Sequence, residues 1–195
     1  MASVCLVIGL GTGYLIRGSQ SPSSKGQASE TASVSTPRGT SAMTGSAPNL
    51  DQMKHMALKT AEPLLAKLKD DPNNADLLNQ VGNVYRATHQ FKEAATYYDK
   101  ALKVDPKNPA IRTDLASCLY YTGDVDGAIA QLEKSLTYDP KFSGALFNLG
   151  IMKLKGKNDR AGAITAWERL AKVTADPQQR QKIKAMIDQL KSKTT

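Results

Sequence analysis

Apolar and polar positions between Ala75 and Pro177 follow one pattern that returns every 34 residues. Within each period, apolar residues recur three and four positions apart in two stretches, which predicts a pair of amphipathic helices. The first period reads Leu78-x-x-Val81-Gly82-x-x-Tyr85, then Ala94-x-x-x-Tyr98-x-x-Ala101-Leu102. The next two return as Arg112-x-x-Leu115-Ala116-x-x-Leu119 with Ala128-x-x-x-Leu132, and Leu146-x-x-Leu149-Gly150 with Ala163-x-x-x-Trp167. The pattern predicts six helices, at about 75–87, 91–104, 109–121, 125–138, 143–155 and 160–174.

Each period closes on an Asp-Pro pair, at Asp71, Asp105 and Asp139, with a looser return at Asp176. Proline disfavours helix in the residue before it, and a nearby Asp or Asn can cap the next helix. The third period carries about one extra residue, which we expect in the turn between Gly156 and Arg160. Gly82, Ala116 and Gly150 fall where paired helices must approach closely.

Two further helices are predicted outside the periodic region. Residues 50–69 carry Met53, Met56, Leu64 and Leu68 and resemble the second half of a degenerate preceding unit, kinked or restarted near Pro63. Residues 178–193 place Ile183, Met186, Ile187 and Leu190 on one face of an otherwise polar helix. A polar-faced terminal helix is the usual end of a repeat array.

The motif residues and their 34-residue period resemble the tetratricopeptide repeat. The resemblance implies an all-α, right-handed solenoid of helical hairpins, with three units and flanking capping helices. The expected units span about 75–108, 109–142 and 143–177, within an array from 73 to 177. Residues 50–72 and 178–195 would then flank the array.

The N-terminal region has a different character from the repeats. Residues 1–17 are almost uncharged and mostly apolar, but shorter than the roughly 20 residues that span a bilayer as a helix. A membrane anchor whose charged front is missing, a cleaved export signal and a buried helix of the folded domain are the alternatives, and the first is favoured. Residues 18–49 are rich in Ser, Thr, Gly and Pro and are expected to be a disordered linker.

The net charge of +8 lies mostly at the ends of the chain, because residues 178–195 carry +4 and the array 73–177 only +2. A nucleic-acid surface usually combines a basic stripe with interleaved aromatic residues. We therefore expect no nucleic-acid partner. The basic residues Arg180, Lys182, Lys184, Lys191 and Lys193 are interpreted as a solvated helix face.

No catalytic, metal-binding or cofactor-binding group is expected. The two histidines, His55 and His89, lack Cys, Asp or Glu at ligand spacing. Cys118 falls on an apolar helix face and is expected to be a small buried core residue. The sequence therefore predicts a protein that is not an enzyme.

The first helix of each unit is expected to line a concave groove, and its free face would meet a peptide or protein partner. The face should comprise Asn79, Asn83, Arg86, Thr113, Ser117, Tyr120, Tyr121, Phe147, Asn148, Ile151 and Leu154. A client carboxylate is expected on Arg86, and apolar client side chains on Tyr120 and Phe147. The open alternative is that these aromatic rings pack against the flanking helices.

Two family comparisons refine this expectation. Chaperone cochaperones with this repeat clamp a carboxylate with basic residues and asparagines; Asn83 matches, whereas Asn79 replaces a basic residue and Asp114 replaces an asparagine. The overall layout is similar to the bacterial membrane-anchored accessory subunits of cytochrome c maturation, in segments such as Ala145-Leu-Phe-Asn-Leu-Gly-Ile and Ala166-Trp167-Glu168. That similarity implies an inner-membrane protein with a periplasmic array that presents an apocytochrome or another client.

The predicted function is thus a noncatalytic scaffold that binds a client in its groove near a membrane. The alternative is a structural subunit that assembles through its convex face or with copies of itself. An exported soluble protein and a cytoplasmic one are the other locations considered, and the oligomeric state is left open.

Overall fold

The computed structural model describes residues 49–192, which form eight α-helices and one π-helix and include no strand. The α-helices are α1 Leu50–Asp70, α2 Ala75–Ala87, α3 Phe91–Val104, α4 Pro109–Tyr121, α5 Val125–Tyr138, α6 Ser143–Ile151, α7 Arg160–Val173 and α8 Pro177–Ser192. The π-helix, π1, spans Met152–Gly156. The predicted anchor (1–17) and all but the last residue of the predicted linker (18–49) lie outside the described residues.

Three helical hairpins make up the array: α2 with α3, α4 with α5, and α6 with α7. Each hairpin also packs on the next, because α3 contacts α4 and α5 contacts α6. The all-helical hairpin array predicted from the sequence is confirmed, and the first four predicted helices of the array match the observed bounds.

The repeated Asp-Pro segments build the same loop twice. Asn74 donates its side-chain amide to Asp71 Oδ2 at 2.9 Å, and Asn108 does the same to Asp105 Oδ2 at 3.0 Å. The amide oxygens of these asparagines then accept main-chain N–H groups at the start of α2 and α4. One asparagine therefore ties the end of a helix to the beginning of the next.

The core divides into two clusters that meet at α4. The first joins α1 to α2, α3 and α4 around Tyr98, and the second joins α4 and α5 to α6, α7 and α8 around Trp167. The predicted close approaches are present: a Cβ on Gly82 would lie 2.7 Å from the Tyr98 ring, and one on Gly150 would overlap the Trp167 indole. Cys118 is fully buried, as predicted.

The third unit differs from the prediction at the end of its first helix. The extra residue was expected in the turn, but α6 ends at Ile151 and the chain continues as π1. A π-helix has a wider turn, so it takes up one more residue than an α-helix of the same rise. The three hairpin turns then match, each with one residue at positive φ: His89 at 59°, Gly123 at 96° and Asn158 at 53°.

The flanking helices also correct the sequence analysis. Helix α1 runs through Pro63 without the restart that was one of the expectations there. No helix within residues 49–192 has the length and apolarity needed to cross a membrane, and the predicted anchor at 1–17 lies outside that range. Ile187 of α8 is 4% exposed against the second core cluster. Lys182 and Lys184 are exposed as expected, whereas Arg180 donates to the carbonyl oxygens of Thr174 and Ala175 at the end of α7.

Candidate functional site

The first helices of the three hairpins are linked by polar contacts along one face. Between α2 and α4, Arg86 Nε lies 4.0 Å from Asp114 Oδ1. Between α6 and α4, Asn148 Nδ2 lies 3.4 Å from Ser117 Oγ. We call these residues, together with Asn83, the polar strip, and all five are at least partly exposed.

One end of the polar strip is organised by a buried tyrosine. Tyr98 of α3 donates its hydroxyl to Asn83 Oδ1 at 2.9 Å and accepts a bond from Arg86 Nε at 3.1 Å. A second guanidinium nitrogen of Arg86 donates to Asn83 Oδ1 at 3.3 Å. Burial raises the pKa of Tyr98, so its hydroxyl stays protonated and keeps this donor role.

Charge in the middle of the polar strip comes from Arg86 and Asp114. Burial raises the pKa of Asp114, and the neighbouring Arg86 opposes that rise. For Arg86, burial works against the charged form, yet Asp114 and Tyr98 hold the pKa above its usual value. Burial likewise raises the pKa of Cys118, one turn further along α4, to about 12, so its thiol is protonated and unreactive at neutral pH.

Two predicted groove residues lie deeper than expected. Thr113 is only 6% exposed, and its hydroxyl donates to the Pro109 carbonyl oxygen and lies 3.4 Å from Ser135 Oγ. It is therefore part of the α4–α5 packing and not of the groove surface, which corrects the prediction. Asn79 is partly buried, and its Oδ1 is enclosed without a hydrogen-bond partner among residues 49–192.

The two tyrosines at the end of α4 contact different neighbours as well as each other. Tyr121 is 65% exposed and stacks on Phe91 of α3, with ring centroids 4.5 Å apart. Tyr120 packs beside the second core cluster, with its ring close to Gly156. The two rings also meet edge to face, with centroids 5.8 Å apart, and the prediction that both face the groove stays a prediction.

The predicted groove face also carries apolar residues, on α6 and π1. Phe147 is 39% exposed on α6, next to Asn148 of the polar strip. Ile151 and Leu154 are partly buried against the second core cluster. Of the predicted residues, the structure brings Arg86 into contact with Asn83, and Asn148 into contact with Ser117, while Phe147 is exposed beside Asn148 in the sequence.

Sequence reasoning missed how two residues contribute to the polar strip. Tyr98 enters the sequence analysis only as part of the apolar repeat pattern, and its ring is buried, but its hydroxyl reaches Asn83 and Arg86. Asp114 was noted only as a departure from a clamp pattern. The available signal was that Tyr98 carries a polar tip at a position where the second unit has Leu132.

The chemistry of this face is that of recognition. It offers amide, hydroxyl, guanidinium and carboxylate groups, with one exposed aromatic ring. Within residues 49–192, no group of three or more His, Cys, Asp or Glu side chains is placed to hold a metal ion.

Comparison with protein families gives two matches to models described as the tetratricopeptide repeat, over residues 85–145 and 119–180. Among curated proteins, anaphase-promoting complex subunit 3 of Schizosaccharomyces pombe is 31% identical over 107 residues. The match covers 53% of this chain but only 16% of that protein.

Solved structures show the same fold. The crystal structure of MamA is similar with a TM-score of 0.61 and 18% identity, covering 73% of this chain and 82% of that one. The first repeat domain of Spaghetti (RPAP3), bound to the HSP90 peptide SRMEEVD, is similar with a TM-score of 0.54 and 20% identity, over 60% of this chain and 93% of that one.

The family matches agree with the structure. The structure has three helical hairpins, with small residues where the paired helices meet. Residues 85–180 thus carry tetratricopeptide repeats, and the same helical hairpin recurs as α2–α3, α4–α5 and α6–α7.

Proposed function

We propose that this protein is a noncatalytic scaffold that binds a peptide segment of another protein across its three first helices. The observation that carries the proposal is the polar strip itself, in which partly exposed hydrogen-bonding groups lie on α2, α4 and α6. The peptide complex of the Spaghetti repeat domain supports it, since a domain of similar fold is bound to a peptide.

The spacing of the helices suits an extended client. Packed helices lie about 8–10 Å apart, and an extended chain advances about 3.3 Å per residue. A client crossing all three first helices would therefore meet each with about three residues. Asn83 and Arg86 can bind main-chain carbonyl groups at one end, and Phe147 can cover an apolar side chain at the other.

A photo-crosslinking amino acid tests this geometry in the full-length chain. Placed at Phe147 it should crosslink the client, whereas at Thr137, exposed on α5, it should not. Capture should also fall in the double variant Phe147→Ala/Asn148→Ala and persist in the outer-surface control Lys134→Ala/Thr137→Ala. Equal crosslinking from both positions, or capture unchanged in the groove variant, would contradict a groove function.

We also propose a cellular setting for the scaffold: tethered to the bacterial inner membrane by residues 1–17, with its array in the periplasm and a client from cytochrome c maturation. The support is the sequence layout of apolar segment, polar linker and array. Mass spectrometry of the crosslinked client tests it. Apocytochrome or haem-ligation proteins are expected. An unrelated client would contradict the proposed cellular setting but not the groove function.

A second candidate function, assembly with a copy of the same chain, is favoured by one observation. Leu50, Met56 and Leu58 of α1 are each more than half exposed. Sedimentation of the full chain and of Met56→Lys/Leu58→Lys tests it. A dimer that dissociates in the variant would support self-assembly, and a monomer in both would exclude it.

A further inference from the structure

We propose that Asp114 makes the groove selective for a client with a basic side chain, Lys or Arg, and that this side chain binds the Asp114 carboxylate. The inference rests on the proposed groove function and specifies the chemistry of its client. It differs from the expectation drawn from the sequence, in which a client carboxylate would bind Arg86.

The carboxylate of Asp114 is incompletely satisfied. Its side chain is 33% exposed, so a client can reach it from the groove. It accepts no hydrogen bond from any residue in the described part of the chain, and its one ion pair, with Arg86, is 4.0 Å long. A partly buried carboxylate gains most from a partner that brings both positive charge and N–H donors.

Arg86 does not take that role, because its donors are directed elsewhere. Its Nε donates to the Tyr98 hydroxyl and one terminal nitrogen donates to Asn83 Oδ1. Held in this way, the guanidinium forms part of the groove wall. Its remaining N–H groups suit a neutral acceptor, such as a main-chain carbonyl of the client.

An acidic client fits the same place poorly. A carboxylate that approached Arg86 would also come close to the negative charge of Asp114, and like charges at an interface are a strong source of discrimination. The other groups near the middle of the polar strip are uncharged: Asn83, Ser117 and Asn148. Charge selectivity therefore depends on the pair of Arg86 and Asp114, in which the guanidinium is already bonded to Tyr98 and Asn83 while the carboxylate accepts no hydrogen bond from the described residues.

Selection of random displayed peptides on the immobilised full-length chain provides the probe. We expect enrichment of peptides with Lys or Arg at one fixed position. A selected peptide should lose at least about 10-fold in affinity when that residue is replaced by citrulline or norleucine, as measured by fluorescence anisotropy.

The protein side of the test is Asp114→Asn, which keeps the size of the side chain and removes its charge. The variant should lose as much affinity for the basic peptide as the peptide substitution causes, with little further loss when both changes are combined. Asp188→Asn on α8 is the control, since it makes the same change in net charge away from the groove. Thermal melts of both variants show that folding is retained.

The outcomes distinguish a failure of this inference from a failure of the proposed groove function. Peptides that need Phe147 and Asn148 but bind Asp114→Asn unchanged would overturn the charge selectivity and leave the groove function standing. If no selected peptide depends on Phe147 and Asn148, both proposals fail together.

Discussion

The carbonyl oxygen of Phe147 accepts a hydrogen bond from the indole N–H of Trp167, at 3.1 Å, across the third hairpin. The indole reaches this oxygen because Gly150, one turn further along α6, has no side chain in its path. The first unit pairs Gly82 with Tyr98 in the same way, and the second has Ala116 with the smaller Leu132 at these positions. The larger side chain at one position is therefore accompanied by the smaller residue at the other.

Gly150→Ala should lower the free energy of unfolding by about 2 kcal/mol, because the added methyl group overlaps the Trp167 ring and overpacking outweighs the better helix propensity of alanine. Denaturant unfolding measures the change. Gly144→Ala, in the same helix, is the control, since its Cβ would meet only the Phe142 ring at 3.2 Å.

The double variant Gly150→Ala/Trp167→Leu tests the pairing directly, since it reproduces the second unit. It should be more stable than the sum of the two single changes predicts. Strict additivity would show that the contact between residue 150 and residue 167 does not limit the packing.

The hairpin turns offer a prediction from backbone conformation. His89 and Asn158 have positive φ, a region that costs a residue with a side chain about 1–2 kcal/mol, while Gly123 fills the same position in the second turn without that cost. His89→Gly should therefore raise the free energy of unfolding by about 0.5–1 kcal/mol, and Gly123→Ala should lower it by about 1 kcal/mol. A loss of stability in His89→Gly would mean that the ring contact of His89 with Phe91 outweighs the backbone strain.

The positions of the helices were predictable because the signals are local. An Asp-Pro pair stops one helix, an asparagine two or three residues later caps the next, and both recur at a fixed period. The π-helix was not predictable, since the period shows an extra residue but not where it is absorbed. Gly156 allows the π-helix to pack against α5, because a Cβ at this position would lie only 2.5 Å from Val125 Cγ1.

The groove was predicted in outline and not in detail. Periodicity predicted Asn83, Arg86, Ser117 and Asn148 as groove residues, and the structure shows Arg86 bonded to Asn83 and Asn148 bonded to Ser117. It could not show that Asp114 meets Arg86, because that contact depends on how α2 and α4 are rotated against each other. It also could not show that the Thr113 hydroxyl lies against Ser135 of α5, because that contact depends on how the two helices pack.

Arg112 gives a prediction about a buried charge. It is 5% exposed and donates to Gln131 Oε1 and to the Pro106 carbonyl oxygen, both at 2.6 Å, while its Nε has no partner among residues 49–192. The equivalent residues of the other units are Leu78 and Leu146. Gln131→Leu alone should destabilise the fold by about 2 kcal/mol, because it leaves part of a buried cation without an acceptor.

The double variant Arg112→Leu/Gln131→Leu should recover most of that loss, since an apolar pair often replaces buried polar groups at little cost. Chemical denaturation of the two single variants and the double variant gives the coupling. A double variant less stable than Gln131→Leu would show that the contact of Arg112 with the Pro106 carbonyl oxygen and the Tyr138 ring dominates.

The terminal helix α8 should be required for stability. Ile187 is buried against the second core cluster, so Ile187→Asp places a carboxylate in an apolar contact and should cost about 3–5 kcal/mol. Deletion of residues 178–195 should lower the melting temperature or cause aggregation for the same reason. Gln181→Asp, at an exposed position of α8, makes the same change in net charge and is the control. A melt unchanged by Ile187→Asp would show that α8 does not cap the array.

The pH dependence of stability isolates Asp114. Its pKa is raised in the folded protein by burial, despite Arg86, so the native state holds its proton more tightly than the unfolded chain does. The Asp114 proton therefore contributes to the free energy of unfolding at low pH. This contribution is lost as the pH rises from the pKa of Asp114 in the unfolded chain, about 3.9, through its raised pKa in the folded protein. Asp114→Asn has no such proton. The free energy of unfolding of this variant, relative to the wild type, should therefore increase across that pH window and then stay constant.

Unfolding free energies of the wild type and Asp114→Asn, measured from about pH 3 to 7 at constant salt, give the difference curve. Asp99, whose pKa is also raised, is present in both proteins and cancels from that difference. A wild type more stable than the variant at neutral pH would mean that the 4.0 Å pair with Arg86 outweighs burial. The expected opposite result would show that the fold keeps Asp114 at a cost to its own stability, as a binding residue commonly does.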